Sequence, residues 1–362
     1  MESRLRGNDV RFFTGSDAMS NPACKAPASA VTRLLALGCS LLIAVGMQAS
    51  AQTAPDSAKD TTTLDTVLVT GEQPGPGLWK VSKGDHVLWI LGAQYPLPKK
   101  MVWRGREVEQ TIAQSQAVLA DTSAKVDVGF FRALTLVPAV LSARKNADGA
   151  TLKDILPADV YARWLALKAK YIGRDSGVER LRPMLAANEL YDKALQRSGL
   201  ARGGEIWKSV EKMARSAGVR VIEPAVKIPV DDPKQAIRDF GSTAGKLDVA
   251  CLDATMRRLE TDLDAMRLRA NAWAVGDIAA LRSLPYPDLR EACKAALESN
   301  IELRQHLDAA VVEIDAAWLK AAQKALDENT STLAVLPMTE LLKPDRRLAM
   351  LAARGYTVEP PE

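Results

Sequence analysis

Histidine is nearly missing from this chain: His86 and His306 are the only two in 362 residues. Catalytic zinc and non-haem iron sites lean on imidazole ligands, so a site of that type has almost nothing to be built from. Cysteine is scarce as well. There are four, with no C-x-x-C pair, which excludes zinc ribbons and thioredoxin-type redox centres. No G-x-S-x-G elbow, P-loop, H-E-x-x-H or G-x-G-x-x-G occurs, so the sequence carries no local signature of those hydrolases, NTPases or dinucleotide enzymes. A Ser-His-Asp triad would have to use His86 or His306, and no local pattern supports either. Carboxylates are plentiful, yet nothing singles out a catalytic pair. Neither sign of charge dominates: 48 Lys and Arg stand against 44 Asp and Glu. Beyond residue 51 the balance is 43 to 41, and no basic stripe with interleaved aromatics appears, so no nucleic-acid partner is expected. Solenoid-period repeats are absent too.

What is present reads as a soluble globular protein, 47% hydrophobic and 25% charged. The longest apolar run is Leu34–Met47, LLALGCSLLIAVGM, preceded by Lys25 and Arg33 and followed by ASA at Ala49–Ala51. It is short for a bilayer span and fits a signal peptide cleaved before Gln52. Residues 1–51 are therefore expected to be a signal peptide, with Met19 as an alternative start, and the protein is expected in the periplasm of a Gram-negative bacterium. The alternative is an uncleaved segment acting as a membrane anchor. Cys39 is poorly placed for lipidation, because the apolar run continues past it. Residues 52–77 form a linker rich in Thr, Asp, Pro and Gly. Within it TLDTVLVTG, Thr63–Gly71, resembles a TonB box and could add as a strand to a partner's sheet edge, or to the domain's own sheet. Two cysteines remain in the mature chain, Cys251 and Cys293. In an oxidising compartment they can pair; closing that loop is worth about 4 kcal/mol in the chain-entropy model. The alternative is two small buried apolar residues.

The folded body is expected over 78–362. LWKV, SKGD and HVLWILG read as strand, turn, strand, the second apolar on both faces and ended by Gly92. A helix is predicted over 105–115, then a strand AVLAD ending at Asp121. Helices follow over 130–142, 151–171 and 183–196, with a β-like stretch over 218–230. Leu252, Met256, Leu259, Leu263, Met266, Ala270 and Trp273 repeat at spacings of four and three, which predicts one long helix over 247–275. Gly276 stops it and Asp277 caps the next. The stretch 287–328 is helical, in one piece or two. TLAVL, Thr332–Leu336, is a buried strand, and the chain closes with a helix, Gly355 and a strand-like YTVEP.

GLWKVSKGDHVLWILGAQYPLPK, AVLAD and the closing STLAVLPMTELLKPDRRLAMLAARGYTVEPP resemble the TraB/GumN family, related to the Tiki metalloproteases and sharing a fold with erythromycin esterases. The resemblance covers about residues 78–362. It implies an α+β fold, mainly helical with a small mixed central β-sheet, whose strands lie near Val87, Ala117, Val219 and Thr332. It also implies a site made from two GxxH turns at strand ends, a glutamate after the second strand and an Arg-Asn pair on a late helix. Two imidazoles and a carboxylate can hold a divalent metal and activate its water.

This chain departs from that set at nearly every position. The first GxxH reads GAQY, so Tyr95 takes the histidine's place. Asp121 matches the glutamate, one methylene shorter. The late-helix pattern falls on Glu313, Ile314, Asp315, Ala316, Ala317 and Trp318, with isoleucine for arginine. The second GxxH falls on LPMT, with Thr339 for histidine. His86 and His306 read as structural. The expectation is a relic pocket of Tyr95, Asp121, Asp315 and Thr339, the four near one another, with Tyr95 hydrogen-bonded to Asp121 and with no metal and no cofactor. The function expected is that of a catalytically inactive family member that binds a small molecule or a protein. Two alternatives stay open: a metal-dependent hydrolase rebuilt on the oxygen ligands Asp121, Asp315 and Tyr95, and an accessory protein of a TonB-linked system.

Overall fold

A computed structural model describes residues 10–11, 75–126, 130–228, 230, 232–242, 245–286, 293 and 301–361. The expected signal peptide, its cleavage site and the TonB-box-like segment lie outside the described residues. The strands, in chain order, are β1 (Val10–Arg11), β2 (Leu78–Lys83), β3 (His86–Ala93), β4 (Leu97–Pro98), β5 (Ala117–Leu119), β6 (Ser123–Val126), β7 (Leu200–Ala201), β8 (Arg220–Ile222), β9 (Ala225–Ile228), β10 (Ser331–Pro337) and β11 (Thr357–Glu359). Six of them make the central sheet, in the order β11-β2-β3-β10-β5-β8. The hairpin β2–β3 turns at Gly84, whose φ of +62° suits a residue without Cβ. From β3 onward the sheet is parallel: β3, β10, β5 and β8 all point the same way, so their C-terminal ends share one edge. The fold is α+β, mainly helical, with a mixed central sheet formed from both ends of the chain. The short pair β4–β7 and the three-stranded sheet β1–β6–β9 lie outside it.

Burial explains the central placement. Leu333, Ala334 and Leu336 of β10 and Leu88, Ile90 and Leu91 of β3 are fully excluded from water, as expected of strands covered on both faces. Trp79, Trp273 and Trp318 pack with them in one core. A second core joins helices between Leu152 and Met266, with Trp164, Leu190, Leu252 and Met256 at its centre.

Several boundaries differ from the sequence reading. The expected single helix over 247–275 is two, Lys246–Thr261 and Leu263–Ala274, broken at Asp262. Its buried carboxylate takes two hydrogen bonds from Arg269 and one from Arg258. That local polar demand competes with a continuous apolar stripe. The 151–171 segment likewise splits, into Leu152–Ile155 and Ala158–Tyr171, because Pro157 biases Leu156 to an extended backbone. The β-like stretch over 218–230 is two strands in different sheets, separated by Glu223 and Pro224. β3 runs one residue past Gly92, and β5 stops two residues before Asp121. Asp277 caps its helix through a bond from the Ala280 N–H, and Gly355 has the left-handed φ of +83° that closes a helix.

Cys251 and Cys293 are disulfide-bonded, with Cα atoms 4.5 Å apart. Among the described residues no helix is long and apolar enough to cross a membrane.

Candidate functional site

Parallel strands bring the residues just past their C-terminal ends together. In register, Pro337 of β10 faces Ala93 of β3, and Ala334 faces Leu119 of β5. Tyr95 and Thr339 therefore each lie two residues beyond a paired position on adjacent strands. Asp121 lies two residues beyond β5, on the other side of β10. Three of the four expected pocket residues thus stand at one sheet edge. Asp315 reaches the same place from the helix Ile301–Glu328, through Arg347.

Tyr95 is half-buried and fixed by its neighbours. The preceding side chain, Gln94, is buried; its amide donates to the Tyr95 carbonyl and its carbonyl accepts from the Tyr286 hydroxyl at 3.0 Å each. The Tyr95 phenol is pushed up to about 12, first by burial and then by the nearby carboxylates of Asp121 and Glu205. The Gly204 backbone, at the start of the helix Glu205–Ser216, offsets this only in part. The expected hydrogen bond to Asp121 is not among those of the described residues: Asp121 acts on this phenol through its charge and accepts from Thr122 and Arg347.

Asp121 is engaged elsewhere. Its Oδ1 accepts from the Thr122 N–H at 2.7 Å and from Arg347 Nη1 at 2.6 Å. The Nε of the same guanidinium donates to Asp315 Oδ1 at 2.9 Å, and its plane lies over Trp318, 5.3 Å from the ring centroid. Arg347 is 4% exposed. Burial works against its charge; Asp121 and Asp315 more than restore it and hold the guanidinium ionised. Arg346 extends the network, forking onto Glu340 at 2.9 and 3.3 Å and standing 3.8 Å from Asp315. Three carboxylates and two guanidiniums therefore form one connected group. Among the described residues, two buried polar atoms beside it have no hydrogen-bond partner: Thr122 Oγ1 and Trp318 Nε1. Such groups are costly unless water or a ligand satisfies them.

The donor set does not fit a divalent metal. A neutral phenol and a threonine hydroxyl are poor ligands, and the two aspartates already share a fixed guanidinium. Among the described residues no group of three or more His, Cys, Asp or Glu side chains has the arrangement to hold a metal ion. His86 begins β3, at the opposite end of that strand from Tyr95, with Nδ1 against the Leu326 carbonyl. His306 lies on the helix Ile301–Glu328, and its side chain falls outside the described residues.

The sequence reading missed Arg346, Arg347, Glu340 and Gly204. One signal was there to find. Arg347 is the first residue of the helix Arg347–Ala352, where a cation opposes the helix dipole. A buried arginine there has to be met by carboxylates from elsewhere in the fold.

No curated protein and no solved structure gives a significant match to this chain. A family model described as the TraB/PrgY/gumN family matches residues 77–360, the whole span from the start of β2 to the end of β11. On that match, the chain belongs to the TraB/PrgY/gumN family.

Proposed function

We propose that this protein is an exported, catalytically inactive member of its family that acts by binding at the C-terminal edge of the parallel strands. One observation carries the reading: Arg347 occupies the space between Asp121 and Asp315, the carboxylates best placed to serve as oxygen ligands. A guanidinium cannot activate a water as a metal does, and it cannot leave without depriving both carboxylates of their shared hydrogen-bonded counter-ion. Binding is supported by the partly exposed carboxylate of Asp121 at that edge, which offers an acceptor to a small polar ligand. Export is supported by the apolar run at Leu34–Met47 with the small residues after it, and by the Cys251–Cys293 bond, which suits an oxidising compartment.

The test restores what the site lacks. The triple variant Tyr95→His, Thr339→His, Arg347→Met is expected to take up one equivalent of zinc or manganese, while the natural protein takes up none under the same dialysis. Stoichiometric uptake by the natural protein would defeat the proposal.

A further inference from the structure

The helix Phe130–Ala143, FFRALTLVPAVLSA, breaks the ordinary rule for its composition. It carries one charged residue in fourteen, and its apolar residues run all round the axis. A helix of that kind belongs in a core. Here Leu134, Val137, Val140 and Leu141 are 55%, 48%, 43% and 52% exposed, while Leu136 is buried. The helix Pro233–Ser242 packs against one side, with Gly241 against Ala143. Pro138 leaves the Leu134 carbonyl without its intrahelical donor, so this segment has to keep contact with water or another donor.

Charge says what covers the free face. No Asp or Glu lies between Val128 and Ala147, and the exposed cations Arg144 and Lys145 follow the helix directly. Lys234 and Arg238 are exposed on the neighbouring helix, with Asp232 and Asp239 beside them. Four half-exposed side chains offer on the order of 300 Å² of apolar surface, well below the roughly 800 Å² per partner that a stable dimer needs. A shallow apolar strip bordered by basic residues matches a helix lying in the headgroup region of a bilayer. We infer that Phe130–Ala143 is an interfacial anchor that lays Leu134, Val137 and Leu141 into an anionic lipid surface, with Arg144 and Lys145 on the headgroups.

The experiment uses the full chain with Cys24→Ser and Cys39→Ser and a nitroxide on Leu141→Cys; the Cys251–Cys293 bond leaves no other thiol. A second preparation carries the label on Glu107→Cys. Collision with oxygen and with a water-soluble nickel complex is measured on vesicles of phosphatidylcholine containing phosphatidylglycerol. The label at 141 is expected to gain oxygen access and lose nickel access severalfold, the label at 107 to keep both. Arg144→Glu with Lys145→Glu is expected to abolish the shift. A label at 141 that stays open to nickel on the vesicles overturns the inference, even if the apolar run at Leu34–Met47 has brought the protein there. Spin–spin broadening at 141 in solution would assign the face to a second copy and overturn it equally. Equal insertion into pure phosphatidylcholine would overturn the anionic assignment.

Discussion

At the scale of single residues, the site depends on one guanidinium. Arg347 is buried and shared by two carboxylates, so removing it strips Asp315 of its hydrogen-bonded counter-ion and leaves it only the more distant Arg346, 3.8 Å away. Arg347→Met is expected to cost about 3–5 kcal/mol, as breaking one side of a buried pair does. Asp121→Asn is expected to cost less, because that side chain is 38% exposed. Urea unfolding of both variants checks the order, and equal, small losses would show that Arg347 is not committed to the pair. The tyrosines give a second test. Tyr95 and Tyr286 are both pushed up to about 12, chiefly by burial. Their folded pKa lies above the unfolded value, so the stability they contribute is complete below pH 10 and is lost as pH rises from 10 through 12. Phenolate absorbance at 295 nm should show at least two tyrosines silent until unfolding begins. Their titration near pH 10 in folded protein would contradict the burial argument. The sequence showed Tyr95, Asp121, Asp315 and Thr339 as a set because they stand at strand ends or in a spaced helical pattern. It did not show Arg347, because a pairing across 226 residues has no local signal beyond an arginine in an unfavourable helix position.

At the scale of elements, the strands were the most legible part. β3 and β10 are short apolar runs closed by turn chemistry, and both fell where the pattern put them. The long helix was misread at Asp262, since an apolar repeat records which face is buried and not whether the backbone is continuous. A buried aspartate seven residues before a buried arginine decided the break. The junction of β3 with the segment after β10 is a close element contact. A Cβ built on Gly92 would stand 2.5 Å from Met338 Cε and 3.0 Å from Leu341 Cδ1. The Gly92 carbonyl also accepts the Trp273 indole N–H at 2.6 Å. Gly92→Ala is therefore expected to destabilise by about 1–3 kcal/mol through overpacking. Adding Met338→Ala should return part of that loss. If the pair of changes is simply additive in thermal unfolding, the glycine is not required by this contact.

At the scale of the whole molecule, the architecture sets one sheet edge as the place where distant segments meet. Residues from β3, β5, β10, the helix Ile301–Glu328 and the C-terminal helix converge there. The second core lies in the intervening helices, and the Cys251–Cys293 bond sits in a small cluster of its own with Met184 and Phe240. The family's fold is kept, and on the proposed reading an internal ion-pair network stands at that edge in place of a metal site. The measurement that tests this most directly is metal content. Protein purified without chelator is analysed by plasma mass spectrometry, before and after treatment with a strong chelator, alongside Asp121→Asn. The account predicts well under one equivalent of any transition metal, no change on chelation and no difference in the variant. One equivalent of zinc, manganese or cobalt per chain, removed by the chelator and missing from Asp121→Asn, would contradict it.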